Sequence, residues 1–113
     1  MYLTAAEAAA QLGDMKSAAE HLSTLMKKRY SAATIDGYIE PLATMAAAEL
    51  LAEIAHERRC ELAFEGHRWF DLRRTTRPQL QKSYNGVEYT LQANDSRYTL
   101  RFPTEAVEAN PNL

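Results

Sequence analysis

Two carboxylates set four residues apart, Glu61 and Glu65, are the first place to look for chemistry. A pair of acids can act as proton donor and base in glycoside hydrolysis. Here Arg58, Arg59, Arg68, Arg73 and Arg74 crowd the same stretch, Glu57 to Arg74. Neighbouring cations favour the ionised carboxylate, which suits it poorly as a proton donor. Both acids are therefore expected to be partners for arginine, whose planar fork grips a carboxylate in two places. No catalytic residue is assigned, and no enzyme is expected. His56 and His67 are possible metal ligands with Glu65, but His56 falls opposite the apolar stripe and no His-x3-His spacing exists. No metal is expected; His56 is read as solvated and His67 as packed or hydrogen-bonded. Trp69, the sole tryptophan, could offer a flat platform to a sugar ring. Its neighbours Phe70 and Leu72 favour a core position, and it is kept as the residue to test for ligand binding. Tyr84, Tyr89 and Tyr98 are read as packing residues of alternating strands.

The elements around this stretch explain why its charges need partners. From Pro41 to Glu65 no glycine or further proline interrupts a run of good helix formers, so one long helix is expected. Ala47, Leu50, Leu51, Ile54 and Leu62 share a face of that helix. Arg58, Glu61 and Glu65 fall on the same face, so the charges continue the apolar stripe instead of opposing it. Glu57, Glu61 and Glu65 recur every four residues, a mutually repulsive spacing on a bare helix. Cations from elsewhere in the chain should meet them. Gly66 is a helix stop, and Arg68, Asp71, Arg73 and Arg74 follow it on a short second helix. That helix is expected to fold its arginines back onto buried Glu61 and Glu65, which makes Arg58, Glu61, Glu65, Gly66, Arg68, Trp69, Asp71 and Arg73 a structural motif.

Upstream, residues 1–30 read as a helical hairpin. Tyr2 to Leu12 is alanine-rich, Gly13-Asp14 breaks it, and Met15 to Arg29 forms a second helix. The pattern AEAAAQLGDMKSAAEHLSTL resembles a tetratricopeptide helix pair, with Ala8 and Ala18 where the helices approach. A single such pair cannot bury its own apolar face, so scaffold is favoured over a peptide-binding repeat. Lys27, Lys28 and Arg29 complement the negative end of the helix. Ser31 to Glu40 is expected to be a connecting loop, with a turn at Asp36-Gly37. Downstream, Asn85-Gly86 signals a tight hairpin. Val87, Tyr89 and Leu91 alternate after it, and Tyr98, Leu100 and Phe102 alternate again. Pro103 to Ala109 adds a helical turn, stopped by Asn110-Pro111. The fold expected is mainly α, with a small β-hairpin segment near the C-terminus. Residues 1–30 and 31–113 are taken as parts of one incomplete domain.

The run ERRCELAFEGHRWFDLRR closely resembles the signature near the C-terminus of SusD/RagB-like proteins, the glycan- and nutrient-binding outer-membrane lipoproteins of Bacteroidetes. Arg58, Arg59, Glu61, Leu62, Phe64, Glu65, Gly66, Arg68, Asp71 and Leu72 fit the pattern, and Cys60 departs from it. MYLTAAEAAAQLGD and YTLRFPTEAVEANPNL extend the resemblance over nearly the whole chain. It implies a surface lipoprotein, anchored at the outer membrane, that captures an oligosaccharide or other nutrient. The partner implied is a SusC-like TonB-dependent transporter, over which such proteins sit as a lid. Family members carry several helix pairs as scaffold, and their sugar-stacking aromatics lie mainly upstream of the signature. No ligand-binding residue is therefore carried over. Such proteins are several times longer and begin with a lipoprotein signal, so this chain is expected to be a C-terminal fragment. The alternative reading is a free-standing TPR-like protein-interaction module.

Composition agrees with a soluble globular segment: 46% hydrophobic and 25% charged. A net charge of −2 gives no basic footprint for nucleic acid. The lone Cys60 excludes an internal disulfide. Met1 leads straight into Tyr2-Leu3-Thr4 with no signal-like apolar run. No Gly-rich phosphate loop or Cys/His cofactor set is present, so no cofactor is expected.

Overall fold

The computed structural model describes residues 1–110. The chain forms two compact units, Met1–Ala63 and Phe64–Leu113. The chain follows the expected class, mainly helical with a two-stranded antiparallel hairpin near the C-terminus.

The first unit begins with helices α1 (Tyr2–Gln11) and α2 (Met15–Met26). A three-residue turn both ends one and starts the other. Gly13 takes φ +84°, a left-handed conformation that costs glycine little. Its N–H reaches the Ala10 carbonyl at 3.1 Å, and the Asp14 N–H reaches that of Ala9 at 2.9 Å. That pair of bonds closes the helix as a Schellman motif. The Asp14 carboxylate then accepts from the Ser17 N–H at 3.0 Å and its hydroxyl at 2.7 Å, satisfying donors at the next helix start. Leu3, Ala6 and Ala10 are buried on α1, and Ala18, Leu22 and Met26 on α2. Ala18 sits in the core as expected; Ala8 is exposed, and Ala6 and Ala10 take the close-approach positions instead.

Residues 31–40 correct the expectation of a loop. Ile35–Ile39 forms a short helix, α3, and Glu40–Ala43 a 3-10 turn. Asp36-Gly37 is helical because Ile35 and Leu42, on either side, are drawn into the core. The long helix α4 spans Ala47–Glu61, not Pro41–Glu65. Pro41 opens the 3-10 turn, and Ala46 is extended (φ −64°, ψ 156°) before the helix starts. Glu49 fixes that start by accepting from the Ala46 N–H at 3.0 Å. At the far end Leu62 leaves the helical region and Phe64 takes φ +67°. Glu65 therefore lies outside the helix on which it was expected. Leu50 and Ile54 complete a core built from Leu3, Ala6, Ala10, Ala18, Leu22, Met26, Ile35 and Leu42.

The second unit holds α5 (His67–Arg74), strands β1 (Leu80–Tyr84) and β2 (Val87–Leu91), and α6 (Thr104–Ala109). Asn85 (φ 49°) and Gly86 (φ 75°) make the two-residue turn, which needs positive φ at both positions. The register pairs Leu80 with Leu91, Lys82 with Tyr89 and Tyr84 with Val87. The second alternating run does not become a strand. Asp95 accepts from the Arg97 N–H at 2.8 Å and curls Ser96–Tyr98 into a 3-10 turn. Tyr98 is buried there, while Leu100 and Phe102 remain exposed. The stop expected at Asn110-Pro111 falls in part on Pro111, outside the described residues.

Leu22→Ala empties a fully buried position and should destabilise the chain by about 2–5 kcal/mol. Leu12→Ala removes a side chain 86% exposed and should change stability by less than about 0.5 kcal/mol. Urea unfolding followed by circular dichroism measures both.

Candidate functional site

The charged face of α4 meets two consecutive residues that follow α2. Glu57 and Glu61 stand one helical turn apart, and Tyr30 and Arg29 reach them. Glu57 is the buried carboxylate among the described residues, 4% exposed. The Tyr30 hydroxyl donates to its Oε1 at 2.5 Å. Arg29 grips Glu61 with both prongs: Nε to Oε2 at 2.8 Å and Nη2 to Oε1 at 2.5 Å. The Arg29 bonds hold the Glu61 carboxyl below its ordinary range. The bond to Glu57, then burial, then the Glu57 charge push the Tyr30 phenol from 10.0 up to about 12.

This arrangement corrects the expectation of a carboxylate row formed by Glu61 and Glu65. The need for a cation at Glu61 was legible; the cation is Arg29, from the basic cluster assigned to the end of α2. Glu57, passed over as a site residue, is the buried member. Glu65 is exposed, 3.9 Å from His67 Nε2, and His67 is itself exposed and not packed. The signal that could have found the true pairing is the Arg29-Tyr30 dipeptide, whose two donors match the two acids spaced at i and i+4.

Beside this pair lies an open cavity of about 370 Å³. Lys28, Arg29, Arg58 and Glu61 form its charged side, and Tyr2, Leu25 and Leu62 its apolar side. Arg58, a residue of the expected motif, is half-buried here. The size falls at the low end of small-molecule sites, but such sites usually combine apolar walls with converging polar groups. Arg29 is already committed to Glu61.

The remaining motif residues lie in the second unit. Gly66, at φ +80°, is the left-handed residue from which α5 starts. Arg68 is exposed. Asp71 accepts from Arg74 Nε at 3.1 Å and Nη2 at 2.9 Å, one turn along the same helix. Arg73 offers its carbonyl to Arg77 Nε at 2.9 Å. Trp69 is half-buried and stacks on Tyr98, with ring centroids 5.1 Å apart and planes 12° from parallel. Tyr98 is fully buried, and its hydroxyl donates to the Pro78 carbonyl. One face of Trp69 is thus taken by an anchored ring. Tyr84 and Tyr89 are exposed on the hairpin, against the expectation that they pack.

Tyr30→Phe should leave the Glu57 carboxylate buried without its donor and cost about 1–3 kcal/mol. Glu65→Ala, at an exposed position, should change stability by less than about 0.5 kcal/mol. A phenol raised above its unfolded value stabilises the fold fully below pH 10.0, and that stability is lost as pH rises through about 12. Alkaline unfolding monitored with a tyrosinate absorbance titration should show one fewer late-ionising tyrosine in Tyr30→Phe than in the wild type.

The chain matches the model of the SusD family over residues 1–113. A comparison with curated proteins finds no match. SusD-family proteins are nutrient- and glycan-binding proteins, not enzymes, and associate with the outer membrane as lipoproteins. No helix among the described residues is long and apolar enough to cross a membrane. With its family match covering every residue and its signature stretch divided between α4 and α5, the chain belongs to the SusD family.

Proposed function

We propose that this chain is the C-terminal scaffold fragment of a SusD-like surface lipoprotein. The whole protein would bind glycans or other nutrients and pass them to a SusC-like TonB-dependent outer-membrane transporter. These residues would support the ligand site without forming it. The family match carries the binding role. The fate of Trp69 supports the scaffold assignment: the residue best suited to stack on sugar is stacked on Tyr98 instead. The acids support it too, since Glu57 is held by Tyr30 and Glu61 by Arg29, with no free pair for acid–base work. Membership of a nutrient-binding family favours this reading over a free-standing TPR-like interaction module.

Calorimetric titration of the chain with starch, mucin and plant oligosaccharides should give no saturable heat, while a longer SusD-like protein binds under the same conditions. Saturable binding lost in Trp69→Ala would make Trp69 a site residue and end the scaffold reading.

A further inference from the structure

The cavity of about 370 Å³ lies within the first unit, where the start of α1, the end of α2 and the end of α4 converge. Three cations line it, Lys28, Arg29 and Arg58, against one carboxylate, Glu61. The chain as a whole carries a net charge of −2, so the sign is reversed locally. A cleft lined by an excess of one charge focuses its field and draws in the opposite ion. The grip of Arg29 on Glu61 uses one edge of the guanidinium, Nε and Nη2, and occupies both Glu61 oxygens. Nη1 bonds none of the described residues. A guanidinium has five N–H donors in a planar fork, so the edge formed by Nη1 and Nη2 is still open to a second carboxylate. Glu61 thus holds the plane of Arg29 in place and has its own charge answered. Lys28 is exposed beside it, with no partner among the described residues. Opposite these donors, Tyr2, Leu25 and Leu62 form an apolar wall.

We propose that this cavity binds a small amphipathic carboxylate. Its acid group would meet Lys28 and the open edge of Arg29, and its aryl or branched-alkyl body would lie against Tyr2, Leu25 and Leu62. An apolar wall facing a few fixed polar groups is the make-up of small-molecule sites. A bare inorganic anion would leave the wall unused, and a neutral sugar would leave the cations unanswered. The ligand is therefore of a different class from the glycans tested above. In the sequence Lys28 and Arg29 read only as complements to a helix end; the fold sets them beside the end of α4.

The probe is 3-phenylpropionate, followed by ¹H–¹⁵N NMR titration of the labelled chain. Saturable shifts are expected at the backbone amides of Lys28, Arg29 and Leu62. The amide of the same acid, which lacks the charge, and propionate, which lacks the ring, should each bind at least about tenfold more weakly. Lys28→Ala should weaken binding by about two- to fivefold, the range of an exposed ion pair. Lys27→Ala removes the same charge from an exposed side chain outside the cavity lining and should leave affinity unchanged. Arg29→Lys keeps the charge but loses the second edge, and should weaken binding by at least about tenfold. The spectra report the fold of each variant, and the Lys27 and Lys28 pair decides the matter even if Arg29→Lys unfolds. Absence of saturable shifts, an amide bound as tightly as the acid, or equal effects of Lys27→Ala and Lys28→Ala would each overturn the site.

Discussion

A buried carboxylate has to be answered from inside the protein. Glu57 sits in the apolar side of α4, between the core-facing Ile54 and the charged end of the helix. Out of water, its oxygen needs a donor, and leaving it without one is costly. Tyr30 supplies the donor, and that single bond ties the chain leaving α2 to the middle of α4. Arg29, next in sequence, is thereby delivered to Glu61 one turn further on. The repulsion between two acids at i and i+4 is relieved by one phenol and one guanidinium. With α4 tied to the end of α2, Leu50 and Ile54 meet the residues of α1 and α2 that form the rest of the core.

The second unit depends on a different device. Tyr98 is buried with its ring against Trp69 and its hydroxyl on the Pro78 carbonyl. One side chain thus links α5, the segment before β1, and the turn after β2. Arg97 adds to the same turn, bonding Asp95 through Nε at 2.9 Å and the Thr90 carbonyl at 3.2 Å. These contacts keep one face of Trp69 occupied by Tyr98, while Phe64 and Phe70 of the signature stretch stay exposed. Exposed aromatic residues of the unit include Tyr84 and Tyr89 on the hairpin, where the strands' paired register places them on one face with Lys82 and Val87.

The two kinds of acid along α4 have different consequences for function. Those turned toward the protein, Glu57 and Glu61, are consumed by packing and leave no acid–base pair. The opposite side of the same helix presents His56 and Cys60 to solvent. A helix of this length offers both faces at once, because successive residues advance by ~100° around its axis.

Local rules written into the sequence determined a good deal. The break at Leu12-Gly13-Asp14 depends on the φ of Gly13 and the Asp14 cap, the hairpin at Asn85-Gly86 on positive φ at both residues, and the helix at Pro103 to Ala109 on a proline at its start. Such signals act over a turn of chain and survive without knowledge of the rest. The mainly helical class and the family signature were legible for the same reason: both are patterns of residue type along the chain. Tertiary structure decided what those patterns could not. Asp36-Gly37 became helical because burial of Ile35 and Leu42 outweighed a turn preference. Tyr98 left its alternating pattern because Asp95 capped a 3-10 turn and Trp69 received its ring. That Glu61 needed a cation followed from the spacing of like charges. That the cation is Arg29, 32 residues away, did not. A charge can be met by any cation the fold brings near, and proximity between distant segments is set only when the core closes.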